Sequence, residues 1–357
     1  MQGASCSWAR TAHPHWGAPS SASAARSRPA RCDHTAVKCS GAAGQLVPPQ
    51  SCIAPPPAAL HFGRRSALGL GASALLLALA PPLPSFAASS DWAPAVIRPE
   101  LAPDQRLYDA ADPQLRAAAQ LLQDALNAQD VRQEEALWTK IIEGYGGLQS
   151  NWVPDLVGRA LGNRGNARSR QGKLQEALAD YNESIRICPW SVDAVLNRGV
   201  IMEALDRFDE AVADYRAVLA AAPADPAAYN NLGNAYAGLG DWAAAAEYYG
   251  RATQLVPAFA FAQENRALAL YQLGQDNRAI KEMRSLARKY PESFPDVRAA
   301  LTAALWEAGL QAEAEAEWQR CGDPRYRDRA WLRRERRWPP RLVVALEAFL
   351  DIRGVGS

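Results

Sequence analysis

Pro189, Pro223, Pro257 and Pro291 stand at equal intervals along the chain, one after another. A proline ring fixes φ and removes an N–H donor, so it cannot sit inside a helix, and four prolines at one interval mark four places where a helix has ended. In the same frame Gly165, Gly199 and Gly233 recur, with Ala267 next. Ala177, Ala211, Ala245 and Ala279 follow twelve residues later, and Tyr181, Tyr215, Tyr249 and Met283 four beyond those. A fixed period of this length means stacked supersecondary units, each burying an apolar face against the next.

The period and its landmarks resemble the tetratricopeptide repeat (TPR), which runs W-x2-L-G-x2-Y, then A-x3-F, then P. The third unit carries the pattern almost whole, as Tyr229, Leu232, Gly233, Tyr236, Ala245, Tyr249 and Pro257. The resemblance implies an all-α solenoid, a right-handed superhelix of antiparallel helix pairs, with four repeats at 158–191, 192–225, 226–259 and 260–293. The Gly and Ala series are expected at close helix crossings and the Tyr series in the wider gap between layers. Turns such as "QGK" at 171–173 and "LGD" at 239–241 join the helices. Residues 111–157 read as a degenerate helix pair, 294–327 as a degenerate fifth repeat and 328–357 as C-terminal capping helices, since the ends of a solenoid must cover an exposed apolar face. Residues 88–110 read as an irregular lead-in.

Ahead of the repeats lie two address-like segments. Residues 1–63 hold five Lys or Arg against one acid, Asp33, and are rich in Ser, Ala and Pro, the composition of an organellar transit peptide. Residues 64–87 follow with paired Arg64 and Arg65, a fifteen-residue weakly polar or apolar stretch diluted by Gly69 and Gly71, and a small-residue exit at Ser85-Phe86-Ala87. That stretch is shorter than the roughly 20 residues a membrane span needs, and its layout is that of a cleavable twin-arginine-type signal. Two addresses in series resemble the bipartite presequence of chloroplast thylakoid-lumen proteins; the alternative is the mitochondrial intermembrane space.

Residues 1–87 carry seven of the 39 Lys and Arg but only one of the 38 acids, leaving 32 basic against 37 acidic residues beyond them. A mildly acidic remainder gives no electrostatic case for nucleic acid. All four histidines also fall before residue 88, and Cys188 and Cys321 are the cysteines beyond it. Histidine-based catalysis and Cys/His metal sites therefore lack their raw material, and no cofactor is expected. The two cysteines lie almost four repeats apart, too far to bridge, and read as buried fillers.

Asparagine occupies the sixth position of every full repeat, at Asn163, Asn197, Asn231 and Asn265, with Asn166 and Asn234 one residue past the glycines. Asparagine is a mediocre helix former. In TPR proteins this position faces the concave groove, and the resemblance implies that these amides grip the backbone of an extended peptide, each offering a donor and an acceptor. A second reading is inherited scaffold. Arg164, Arg198 and Arg266 follow three of the asparagines where the family prefers Leu; their stems are expected to cover apolar neighbours while the guanidinium groups reach solvent. A carboxylate clamp for chaperone tails would need basic residues where Gly162, Ala227 and Asn231 stand, and is rejected.

Residues 325–341 hold eight arginines among Tyr326, Trp331 and Trp338. The expectation is a cap helix with its aromatic face packed down and its arginines solvated; peripheral membrane contact is the alternative. The resulting expectation is a non-enzymatic protein–protein interaction scaffold or assembly factor of the thylakoid lumen, whose partner is a peptide or protein, such as a photosynthetic complex subunit. The alternatives are a prenyltransferase-like α-superhelix enzyme and an organellar RNA-binding helical-repeat protein.

Overall fold

A computed structural model describes residues 92–291 and 294–352. The proposed address segments at 1–63 and 64–87 lie outside the described residues, as do 88–91 and 353–357. Among the described residues the chain is all-helical. It comprises α1 (Pro113–Leu126), α2 (Val131–Tyr145), α3 (Val153–Arg170), α4 (Leu174–Ile187), α5 (Val192–Ala204), α6 (Phe208–Ala221), α7 (Pro226–Gly238), α8 (Trp242–Leu255), α9 (Ala260–Gln272), α10 (Asp276–Lys289), α11 (Pro295–Glu307), α12 (Gln311–Cys321), α13 (Arg329–Arg334) and α14 (Pro340–Ile352). Each of α1 to α11 packs on the next in chain order, as a solenoid requires. The odd-numbered helices α3, α5, α7, α9 and α11 also touch one another in sequence, so they form the inner, concave layer. None of the described helices is long and apolar enough to cross a membrane.

The helices stop where the chemistry says they must. α4, α6, α8 and α10 end at Ile187, Ala221, Leu255 and Lys289, each two residues before a ladder proline. The turns inside repeats pass through left-handed backbone at Gly172, Gly240, Gly274 and Gly309, where a residue without Cβ meets no steric penalty. In the α5–α6 turn the corresponding residue is Asp206, at φ 59°. Asp225 and Asp241 cap α7 and α8, each accepting from a backbone N–H in the first turn.

The small residues have a different cause from the one expected. A Cβ on Gly165, Gly199 or Gly233 would meet the ring of Tyr181, Tyr215 or Tyr249 of the same repeat at 2.9, 2.6 and 2.6 Å. The tyrosines therefore fill the space inside each helix pair, lying flat on the glycines, rather than a gap between layers. A ring and a backbone share one crossing, and only glycine leaves room for the ring. The Ala177, Ala211, Ala245 and Ala279 series is fully buried opposite.

The lead-in is more ordered than its composition suggests. Residues 92–98 run extended over repeats one and two. Trp92 lies on the core around Tyr181 and Tyr215, and Ala95 and Ile97 on Val195, Val218 and Ala228. The Arg98 N–H donates to the Pro189 carbonyl at 2.8 Å.

Cys188 and Cys321 are buried free thiols, donating to the Pro154 and Pro295 carbonyls. Burial pushes the Cys188 thiol up to about 12, far from a reactive thiolate.

Candidate functional site

The asparagines lie on the inner helices, but they bond first to one another. Asn166 Oδ1 accepts from Tyr181 Oη at 2.6 Å and from Asn197 Nδ2 at 3.1 Å. Two repeats on, Asn234 Oδ1 accepts from Tyr249 Oη at 2.9 Å and from Asn265 Nδ2 at 3.3 Å. Asn265 also donates to Asn230, whose own amide donates to Asn231. Asn230 and Asn231 are buried, whereas Asn163, Asn166, Asn197, Asn234 and Asn265 remain partly exposed. The ladder is therefore two linked amide clusters, one on α3–α5 and one on α7–α9. In the second repeat Val200 stands where the others have Asn166 and Asn234, and Tyr215 Oη turns instead to Glu203 Oε1 at 2.5 Å.

The arginines beside the ladder turn onto acids instead of out to solvent, Arg198 fully and Arg164 and Arg266 with part of the side chain exposed. Arg164 forks onto Asp180 at 3.0 and 2.7 Å, Arg198 onto Asp214 at 2.8 and 2.6 Å, and Arg266 onto Glu282 at 3.0 and 2.8 Å. In all three the acid follows its arginine at the same offset and lies across the helix pair, so each fork ties one repeat together. Arg198 is 3 % exposed and Asp214 is fully buried, and a buried guanidinium needs such a partner. Arg198 further donates to the Ala93 carbonyl and lies 5.7 Å from the Trp92 ring, which anchors the extended lead-in. This pairing is visible in the sequence as an Arg on the first helix of a repeat with an Asp or Glu at one constant offset on the second, a signal that the Leu-to-Arg departure alone conceals. The third repeat has Leu232 and Tyr248 at these places, and Tyr248 instead stacks on Tyr229 and Tyr236.

The C-terminal segment packs Tyr326 and Trp338 down and leaves Arg325, Arg327, Arg333, Arg334 and Arg337 exposed, but it departs from a solvated cap at Arg336 and in pairing most of its arginines to acids. Helix α14 packs on α9 and α11, with Leu342, Leu346 and Phe349 fully buried, so the chain folds back into its own concave face. Six of the eight arginines of 325–341 are paired to acids. Arg325 pairs with Asp323, Arg329 with Asp351, Arg333 with Glu347, Arg336 with Asp296, Arg337 with Asp206 and Arg341 with Asp276. Arg336 inserts between Asp296, at 2.9 and 2.5 Å, and Glu264, at 3.5 Å. Tyr326 Oη and Trp338 Nε1 donate to the same Asp296 Oδ1 at 2.8 and 3.0 Å. Burial works against ionisation of Asp296, but the Arg336 guanidinium and the surrounding donors hold its pKa below the usual carboxylate range. Glu264 is pushed the other way, by burial and then by the Asp296 charge beside it. The next residue, Arg337, reaches back to the end of α5. Adjacent side chains thus contact α5 on one side and α9 and α11 on the other. Arg336 and Arg341 turn inward because α9 and α11 supply Glu264 and Asp296 and the start of α10 supplies Asp276, a pairing no local pattern could reveal.

Among the described residues no cluster of His, Cys, Asp or Glu is placed to hold a metal ion. What the geometry presents is a polar inner face with the chain's own C-terminal helix packed on it at α9 and α11.

Stacked helix pairs with a polar inner face define a helical-repeat solenoid, a scaffold for protein interaction. The chain carries tetratricopeptide repeats, with residues 158–191, 196–258 and 230–294 each matching that family's models. A tetratricopeptide repeat protein from Parabacteroides merdae is 18% identical, covers 68% of this chain and 98% of its own length, and superposes with a TM-score of 0.51. The Cut9–Hcn1 hetero-tetramer of the APC/C contains a chain 16% identical over 57% of this one and 39% of its own, with a TM-score of 0.50. Both likenesses are of fold. No curated protein sequence matches this chain.

Proposed function

We propose that this protein is a non-enzymatic interaction scaffold of the chloroplast thylakoid lumen, an assembly factor that holds an extended segment of a photosynthetic complex subunit on its inner face. The observation that carries the binding half is the partial exposure of Asn163, Asn166 and Asn197, side by side on α3 and α5. Asn163 has no side-chain hydrogen bond among the described residues, and Asn197 spends only one amide proton on Asn166. These amides offer a peptide backbone both donor and acceptor without a buried charge. Asn231, Asn234 and Asn265 belong to the same stripe but lie in the second cluster. The compartment rests on the layout of residues 1–87 alone. Asp180, Asp214 and Glu282 are each forked by an arginine, so these three acids serve the helix pairs. Membrane contact through 325–341 gains no support from a segment whose Tyr326 and Trp338 are buried.

The test is affinity capture from isolated thylakoids with the wild type and with Asn163→Ala/Asn197→Ala. Loss of a specific partner from the variant at unchanged thermal stability supports the groove; equal recovery moves the partner site elsewhere. A fluorescent fusion of residues 1–90 tests the address. It should reach the lumen, and Arg64→Lys with Arg65→Lys should strand it in the stroma; import into mitochondria overturns the compartment.

A further inference from the structure

Two non-glycine residues among those described adopt left-handed backbone, Asp206 at φ 59° and Arg337 at φ 52°, and they are each other's partners. They are 131 residues apart in sequence. At the turn position of Asp206 the neighbouring repeats carry Gly172, Gly240 and Gly274, for which the conformation is free of penalty. An aspartate there tolerates the backbone less well. What the aspartate adds is a carboxylate aimed at the groove. Around it stand three elements that suit a guanidinium: Asp206 Oδ1 at 2.7 Å from one terminal nitrogen, the Glu203 carbonyl at 3.0 Å from the other, and the Phe208 ring 5.5 Å from the guanidinium carbon. A fork of acceptors and an aromatic face are the parts of an arginine site.

We propose that the α5–α6 turn is an arginine-binding site, filled here in cis by Arg337, and that an arginine-bearing peptide segment of a partner takes it by exchange. The contrast with the adjacent residue makes exchange feasible. Arg336 is locked between Asp296 and Glu264 beneath buried aromatics, whereas the side chains of Arg337 and Asp206 are 41 % and 73 % exposed. An exposed pair of this kind shifts an equilibrium by no more than about five-fold, so a ligand with further contacts displaces it. The ligand class follows from charge: Asp206 lies at the groove edge with Phe208 beside it, and the cation already seated there is a guanidinium. This proposal rests on the inner face being the binding surface, and extends it by naming what the partner must carry.

The probe is a fluorescein-labelled peptide copying residues 334–340, with a twin carrying citrulline in place of the residue matching Arg337. Fluorescence anisotropy is measured against the full chain as wild type, Arg337→Ala and Arg337→Ala/Asp206→Gly. Glycine is chosen at 206 because the equivalent turns already fold with it. The expected result is binding to Arg337→Ala, weaker binding to the wild type by up to about five-fold because the site is occupied, and a loss of up to about five-fold both in the Asp206→Gly double variant and for the citrulline peptide. Equal binding to the single and double variants, equal binding of the two peptides, or no binding to Arg337→Ala overturns the proposal. The Asn163→Ala/Asn197→Ala variant leaves the Asp206 dependence of this probe intact, so failure of the amide stripe and failure of the arginine site are told apart.

Discussion

Asn197 donates its amide to Asn166 at 3.1 Å, and the same Asn166 oxygen takes the hydroxyl proton of Tyr181 at 2.6 Å. A residue of the inner face thus completes the bonding of a ring buried in the helix pair behind it. The pattern repeats at Asn234 with Asn265 and Tyr249. Binding stripe and core are therefore chemically joined, and substitutions along the stripe should not behave alike.

Asn166→Ala leaves the Tyr181 hydroxyl buried without an acceptor, which should cost about 1 to 3 kcal/mol. Asn163→Ala removes no side-chain hydrogen bond among the described residues and should be neutral or stabilising by a few tenths of a kcal/mol, since alanine is the better helix former. Urea unfolding of the two single variants, and of Asn166→Ala/Tyr181→Phe, checks this. Removing the hydroxyl should recover most of the loss. Equal midpoints for Asn163→Ala and Asn166→Ala would show that the tyrosine finds water instead.

Glycines on the inner helices separate into two kinds. A Cβ on Gly199 meets the Tyr215 ring at 2.6 Å, whereas on Gly162 the nearest atom is Ser184 Oγ at 3.7 Å, ordinary van der Waals contact. Gly199→Ala should lose about 1 to 3 kcal/mol by overpacking. Gly162→Ala should gain up to about 1 kcal/mol from helix propensity. Thermal melts that rank the two variants in the opposite order would mean that the ring shifts freely and the crossing is not tight.

The repeat architecture is legible in the sequence because it is carried by local, periodic constraints. Pro189 and its counterparts must end helices, and Gly165 must leave space, whatever lies elsewhere in the chain. The direction of that space is not legible, because spacing reports that two residues are near without saying which of them fills the gap. Arg198 escapes for a related reason: its partner Asp214 lies on the other helix of the pair, beyond the i,i+3 and i,i+4 spacings at which helix neighbours are sought. Arg336 and Asp296, or Arg337 and Asp206, meet only because α14 turns back onto α9 and α11, and no periodicity encodes that return. The asparagine stripe lies on the inner helices as its register implies.

Glu203 should give the protein a distinct alkaline signature. Burial raises its pKa from the ordinary 4.5 to about 8, outweighing the Tyr215 hydroxyl and the Arg337 charge. The folded state then binds more protons than the unfolded state between those two values, so stability should fall as pH rises from about 4.5 to about 8. The contribution is fully present below the lower value and gone above the higher. Glu203→Gln keeps an acceptor for Tyr215 and removes the titration. Melting temperatures across this range should therefore decline less steeply in the variant than in the wild type; parallel profiles would show that Glu203 is ionised in the fold.

The Arg198–Asp214 fork tests whether the arginine ladder stabilises the repeats or merely satisfies itself. Burial raises the Asp214 pKa in spite of the guanidinium bonded to it, which is the sign of a pair whose attraction does not exceed its desolvation. Breaking such a pair is costly because the remaining charge stays buried, so Asp214→Ala should lose about 3 to 5 kcal/mol. Replacing both partners with apolar residues of similar size, as Arg198→Met/Asp214→Leu, should be far less harmful than the single change and close to neutral. One consequence separates this reading from generic core damage. Arg198 also holds the Ala93 carbonyl beneath Trp92, so the double variant should fold with the repeats intact while amide hydrogens of 93–98 exchange faster. Hydrogen exchange followed by mass spectrometry resolves that segment from α5 and α6. If the double variant is as unstable as Asp214→Ala, the fork is a net contributor to stability, and the arginines that depart from the repeat pattern are there to hold each helix pair together.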